Sequence, residues 1–302
     1  FRLNWFLEAV ITDIKITDLH ANVLLEAEKI RADVKTINFK KQRLDINEVL
    51  LSGANINLIQ YKNDSSLNLQ FILDHFASAS VDTTPSAPWI LACSNLRLKE
   101  SHFAFRNERY MSPTRGIDFS DMDFSNLNLE IRNMELRGDS IIAEFRQLTC
   151  LGKRGFLLDD FSTRAIVCPR GIKAEKLRIT TGKSRLSLDL NFRFDTFNAF
   201  NYFIDSVKII ASFEPSQLDM RDIVAFAPDV YGMENIIDFS GKIRGTVSSF
   251  AAKDFQFAFG SNTTFKGNIQ LNGLPDIEET FVNLKIDKLL TNISDIQSFT
   301  LP

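Results

Sequence analysis

Histidines, cysteines and paired carboxylates supply most catalytic and metal centres, and this sequence keeps them apart. Its histidines are His20, His75 and His102. None has a second His or a Cys at ligand spacing, and neither HxH nor HExxH occurs. Each reads as a solvated or turn residue. Cys93, Cys150 and Cys168 form no CxxC pair and no zinc spacing, so they read as small hydrophobes. A bridge between Cys150 and Cys168 stays open, and would leave Cys93 as an unpaired thiol. Asp159-Asp160 and Glu278-Glu279 are adjacent pairs. On a strand such neighbours point to opposite faces and cannot share a proton. Gly152-Lys153-Arg154-Gly155 lacks the Walker pattern and reads as a tight turn between strands. No GxSxG and no Ser-His-Asp spacing is present. The expectation is a protein that is not an enzyme, with no catalytic residue, cofactor or metal ligand to nominate.

Composition narrows the class further. Over 302 residues, 35 basic side chains stand against 38 acidic ones, a net charge of -3. That balance offers no basic field for nucleic acid and no acidic tail, so no nucleic-acid partner is expected. The longest apolar runs, Trp89–Cys93 and Ile223–Ala227, fall far short of the ~20 residues that a membrane-crossing helix needs. Phe occurs 27 times against 4 Tyr and 2 Trp. Phe has no polar tip, so this chain makes apolar surface without the groups that suit a wet interface. The sequence opens at Phe1, without Met or a signal peptide, and reads as a piece of a longer protein.

Period-two alternation is the dominant pattern. Ile14 and Ile16 alternate with polar neighbours before an Asp18–Asn22 turn. Ile30, Ala32 and Val34 follow, then Leu44 to Leu51, then Gly53, Ile56 and Leu58. Asn63-Asp64-Ser65-Ser66 is a turn cluster. Leu127, Leu129 and Ile131 alternate, as do Leu186, Leu188, Leu190, Phe192 and Phe194, and again Phe255, Phe257 and Phe259. Short strands with polar breaks predict a meander and not βαβ units. Short helices are expected near 197–205, 216–226 and 293–299. A strand leading into Asp222-Ile223-x-x-Phe226 is echoed by one leading into Asp295-Ile296-x-x-Phe299, which points to a repeated unit. The chain divides into a β-meander at 1–79, a linker-like stretch at 80–88 and a continuing β-rich region at 89–302.

Strict alternation gives each sheet one apolar and one polar face. The apolar face must be covered by a second sheet, by helices or by an apolar ligand. With few helices to hand, pattern alone leaves a closed β-sandwich ahead of an open trough that holds acyl chains.

The first eighty residues carry a more specific cadence. It runs Asp13–His20, Val23–Ala27, Ile30–Val34 and Ile46–Leu58, and ends on Leu67-Asn68-Leu69-Gln70-Phe71-Ile72. This resembles the N-terminal periplasmic region of AsmA-like, TamB-type translocation and assembly proteins of the Bacteroides group. The resemblance implies an elongated antiparallel β-sheet folded into a U-shaped trough, taco-like, with an apolar inner face. It implies a periplasmic segment of an inner-membrane-anchored protein, acting in phospholipid transport between the membranes and in outer-membrane biogenesis. Its partners would be phospholipid or another acyl-chain ligand and the outer-membrane assembly machinery, with the membrane reached through segments outside this sequence. The lipid-contacting candidates are the three alternating runs at 127–131, 186–194 and 255–259. The competing expectation is a scaffold for outer-membrane protein assembly or secretion that binds no lipid and has a closed sandwich core.

Overall fold

Strand makes up 67% of the chain and helix 10%, so the mainly β expectation with a few short helices holds. The computed structural model describes residues 2–3, 8–77, 89–111, 118–223, 232–276 and 278–298. Two compact units divide the described residues between Lys153 and Arg154. The linker expected at 80–88 lies outside the described residues.

The first unit contains β1 (Arg2–Leu3), β2 (Glu8–Thr17), β3 (Val23–Asn38), β4 (Arg43–Ser52), β5 (Asn55–Gln60), α1 (Gln70–Ala77), β6 (Ile90–Asn107), β7 (Asp121–Arg137) and β8 (Ser140–Gly152). β4 and β5 run on in one direction past Gly53, both lying between β3 and β6. They pair antiparallel with β3 but parallel with β6, so this sheet is mixed. A parallel neighbour requires a crossover, and α1 lies on it. The expectation of a meander over 1–79, with no such unit, is corrected here. The correction has a local cause. Asn68 exchanges hydrogen bonds with Ile59, its amide gives one to the Asp18 carboxylate, and this turns the chain into α1.

The second unit, within the region expected to continue β-rich, is an antiparallel meander. β9 (Leu157–Leu158) precedes β10 (Asp160–Cys168), β11 (Gly171–Thr181), β12 (Ser184–Arg193), β13 (Lys208–Asp219), β14 (Ile236–Gly245), β15 (Ser249–Phe259), β16 (Thr263–Asn272) and β17 (Phe281–Leu290). From β10 to β17 each strand pairs antiparallel with the next. The helix expected at 197–205 is present as a 3-10 turn, Phe197–Tyr202, running into α2 (Phe203–Ser206). That expected at 216–226 is shorter. Ser216–Asp219 finish β13, α3 covers Met220–Ile223, and residues 224–226 lie outside the described set. The helix expected at 293–299 is α4 (Ile293–Ser298).

A line of irregularities crosses each sheet. In the first unit Gly53, Glu100 and Asn126 take positive φ at neighbouring positions of β4–β5, β6 and β7. In the second, register shifts follow one another from Ser162/Arg164 through Ala174/Leu177 to Lys266/Gly267. Bulges bend a strand and increase its twist. Left-handed backbone costs a non-glycine residue roughly 1–2 kcal/mol, and here the next strand offsets it. The N–H groups of Glu100, Lys176 and Asp254 donate to side-chain oxygens of Asn128, Asp189 and Asn268 at 3.1, 2.8 and 3.0 Å.

A repeated unit occurs three times among the described residues, while Phe226 and Phe299 of the expected motif lie outside them. Each is a hairpin, a third strand and a short helix bound back to the hairpin tip. Asp222 of α3 accepts from Thr181 Oγ1 and from the Ser184 N–H and Oγ in the β11–β12 turn. Asp295 of α4 accepts from the N–H groups of Ser261 and Asn262 and from Thr263 Oγ1 in the β15–β16 turn. At α1 the polarity is reversed, because Asn68 precedes the helix and the carboxylate, Asp18, sits in the β2–β3 turn.

Candidate functional site

The register sorts the second unit's side chains into two faces. One row crosses all eight meander strands with no polar member: Ala165, Ala174, Leu190, Ala211, Ile243, Ala252, Ile269 and Leu284. At ~4.8 Å per strand it runs about 34 Å. Beside it lies Leu177, Leu188, Phe213, Gly241. A third row joins Phe239, Phe257, Phe265 and Leu289. The first unit has the same construction, with Ile11, Ile30, Leu51, Leu98, Leu129 and Leu148 aligned over six strands.

The candidate residues divide into closed and open sets. Leu188, only 6% exposed, sits in a packed cluster with Ala174, Leu177 and Ala211, bordered by Leu186, Leu190 and Phe213. Phe192 and Phe194 are covered by the short helical stretch that follows β12. Phe194 meets Phe197 and Phe200 with ring centres 5.1 Å apart, and Phe192 meets Phe203 at 5.6 Å. Leu127 and Ile131 are buried and Leu129 is half-buried. Phe255, Phe257 and Phe259 are different. With Leu218, Ile237 and Phe239 they line a cavity of ≈ 470 Å³ that has no polar residue in its wall. Their rings are chained, Phe239 to Phe255 at 6.1 Å and Phe257 to Phe265 at 4.9 Å. Beyond them the face opens at the edge strand β17, where Leu284 is 47% and Val282 50% exposed.

The polar groups serve the frame. Among the described residues no cluster of three or more His, Cys, Asp or Glu could hold a metal. His20 binds Asp64 at 2.9 Å and tilts against Tyr61, whose hydroxyl donates to Asp18 at 2.7 Å. Burial would raise the Asp18 pKa, but donors from Tyr61, Asn68 and the Asn22 and His20 backbone outweigh it and hold the carboxyl low. His102 is a bridge within the sheet, set between Asn55 at 2.9 Å and Asp123 at 3.0 Å. Neither partner was legible, since both come from strands distant in sequence. Asp295 is held down to about 2, chiefly by the Ser261 and Asn262 N–H groups. All three cysteines are free thiols, and burial pushes Cys150 up to about 11. Gly152 ends β8, and Lys153–Gly155 form a 3-10 turn, as a tight connection requires.

No described helix is long and apolar enough to cross a membrane. No family model, no curated protein and no solved structure matches this chain.

Proposed function

We propose that the apolar face of the second unit binds the acyl chains of phospholipid, as a periplasmic segment of an inner-membrane-anchored, AsmA/TamB-like protein that conducts lipid between the two membranes. The observation that carries this reading is one apolar face that holds the unbroken eight-strand row, the packed cluster at β11–β13 and, farther along the strands, the Phe-walled cavity at β13–β15. A conduit needs an apolar lining and a polar exterior, and alternating strands supply both. The cavity volume lies within the ~300–1,000 Å³ of small-molecule sites. In this reading the candidates part company: Phe255, Phe257 and Phe259 touch lipid, while Leu188 and Phe194 hold the wall that carries them. A U-shaped section for the sheet, outer-membrane biogenesis and protein secretion belong to the same proposal. No residue has a catalytic role in it.

The test is photocrosslinking with a diazirine-bearing phospholipid. Crosslinks on β14–β16 that Phe257→Asp abolishes, with the fold retained, support the reading. Absence of crosslinking to that face sinks it.

One observation favours the scaffold reading. β17 pairs only with β16 among the described strands, and Phe281, Ile286 and Leu290 on it are about half exposed. Such an edge can take a partner's strand by backbone pairing. The same crosslinking experiment, returning protein adducts at β17 and no lipid, would support that role.

A further inference from the structure

The polar face of the same sheet carries a charge pattern that acyl binding does not use. Three basic pairs sit directly opposite each other on neighbouring strands: Arg193 with Lys208, Lys242 with Lys253, and Lys266 with Lys288. Like charges in that position are destabilising. Arg185, Arg244 and Lys285 share this face, by the register of β12, β14 and β17. Among the described residues none of the nine makes an ion pair. Elsewhere the chain pairs its arginines readily, as at Arg43 with Asp45, Arg132 with Glu130, Arg146 with Glu144 and Arg164 with Glu175. The acids on the basic face are otherwise engaged or set on bulges. Asp189 accepts the Lys176 N–H, Asp238 the Gln217 amide and Glu214 the Ser187 hydroxyl, while Asp254 and Asp287 fall at register shifts. In a chain of net charge -3, this concentration is local and not a by-product of composition.

From this we propose that the polar face of β12–β17 docks on the surface of an anionic lipid bilayer. Three features select a bilayer over other polyanions. The basic pairs are spread over six strands, about 24 Å at ~4.8 Å per strand, which suits an extended charged plane. Exposed Ile236, Phe281 and Leu290 lie at strand ends on this same face, where apolar side chains enter the headgroup boundary. The rows between the pairs hold Ser240, Gln256 and Asn268, and no aromatic platform on which bases could stack. Lysines near an anionic leaflet are attracted within about a Debye length, so the contact is sensitive to salt.

The proposal is independent of the acyl-binding one, because it uses the opposite face. Its test is sedimentation of the full chain with vesicles of phosphatidylglycerol or of phosphatidylcholine. The expected result is binding to phosphatidylglycerol alone, lost at high salt. It should fall at least tenfold in the combined variant Lys242→Gln, Lys253→Gln, Lys266→Gln, Lys288→Gln. That variant removes like-charge repulsion, so its denaturation midpoint should not fall. Equal binding to both vesicles, or unchanged binding by the variant, overturns the proposal. So does tighter binding to single-stranded nucleic acid or polyglutamate than to phosphatidylglycerol. Phe257→Asp should leave this binding intact, which separates failure here from failure of the acyl-binding reading.

Discussion

Leu188→Asp and Leu284→Asp place the same carboxylate on the same apolar face and should have very different consequences. Leu188 is 6% exposed and packed among Ala174, Leu177 and Ala211, whereas Leu284 on the edge strand is 47% exposed. Removing a buried leucine side chain costs ~2–5 kcal/mol by itself. A carboxylate left there without a partner adds at least ~1–3 kcal/mol more. The total, about 3–8 kcal/mol, is comparable to the ~5–15 kcal/mol that holds a typical domain together. At Leu284 water reaches the new charge and little packing is lost, so the expected cost is within ~0.5–1 kcal/mol. Urea denaturation followed by circular dichroism reads both. The first variant should be unfolded or have a greatly lowered midpoint, and the second should track the parent. Equal, small effects would refute the division into a closed cluster at β11–β13 and an open face at β16–β17.

Other outcomes follow from single contacts. Asp295 has its carboxyl depressed to about 2 against ~3.9 for an unfolded Asp, so its contribution is complete above pH ~4 and is lost as pH falls from about 4 toward 2. Asp295→Asn should remove that acid-sensitive component, visible as a flatter midpoint-versus-pH curve between those limits. Gly241 has φ +138, and a Cβ there would meet the Phe255 Cα at 2.8 Å. Gly241→Ala should therefore destabilise by more than ~1 kcal/mol and shrink the Phe-lined cavity's uptake of an apolar dye. With three free thiols, a reducing agent should leave the melting temperature unchanged; a drop of several degrees would mean that a bridge exists in solution.

The alternation was the legible part. Leu186 to Phe194 and Phe255 to Phe259 were read as one-faced runs and stand so in β12 and β15, because period two is a local property of the backbone. The bulges were not legible. Glu100, Lys176 and Asp254 take positive φ where glycine would have announced it, and the oxygens that hold them come from other strands. The same non-locality hid the crossover at α1. Leu67–Ile72 alternates like a strand, but its fate is decided by Asn68 reaching Asp18, fifty residues away. The repeat was visible where Asp222 and Asp295 share a motif and hidden where the carboxylate moved to the hairpin. Alternation assigns each candidate residue a face and says nothing of its depth. Whether a one-faced leucine meets a second layer or open space depends on the chain after β12, where Phe197, Phe200 and Phe203 fold over one end.

The central claim is that the Phe-walled face holds acyl chains, and native mass spectrometry of the purified chain tests it most directly. Adducts of phospholipid mass are expected on the parent protein, and their loss in Phe257→Asp while that variant's charge-state distribution remains that of a folded protein. A parent protein free of lipid after incubation with phospholipid, or adducts that persist unchanged in Phe257→Asp, would contradict it.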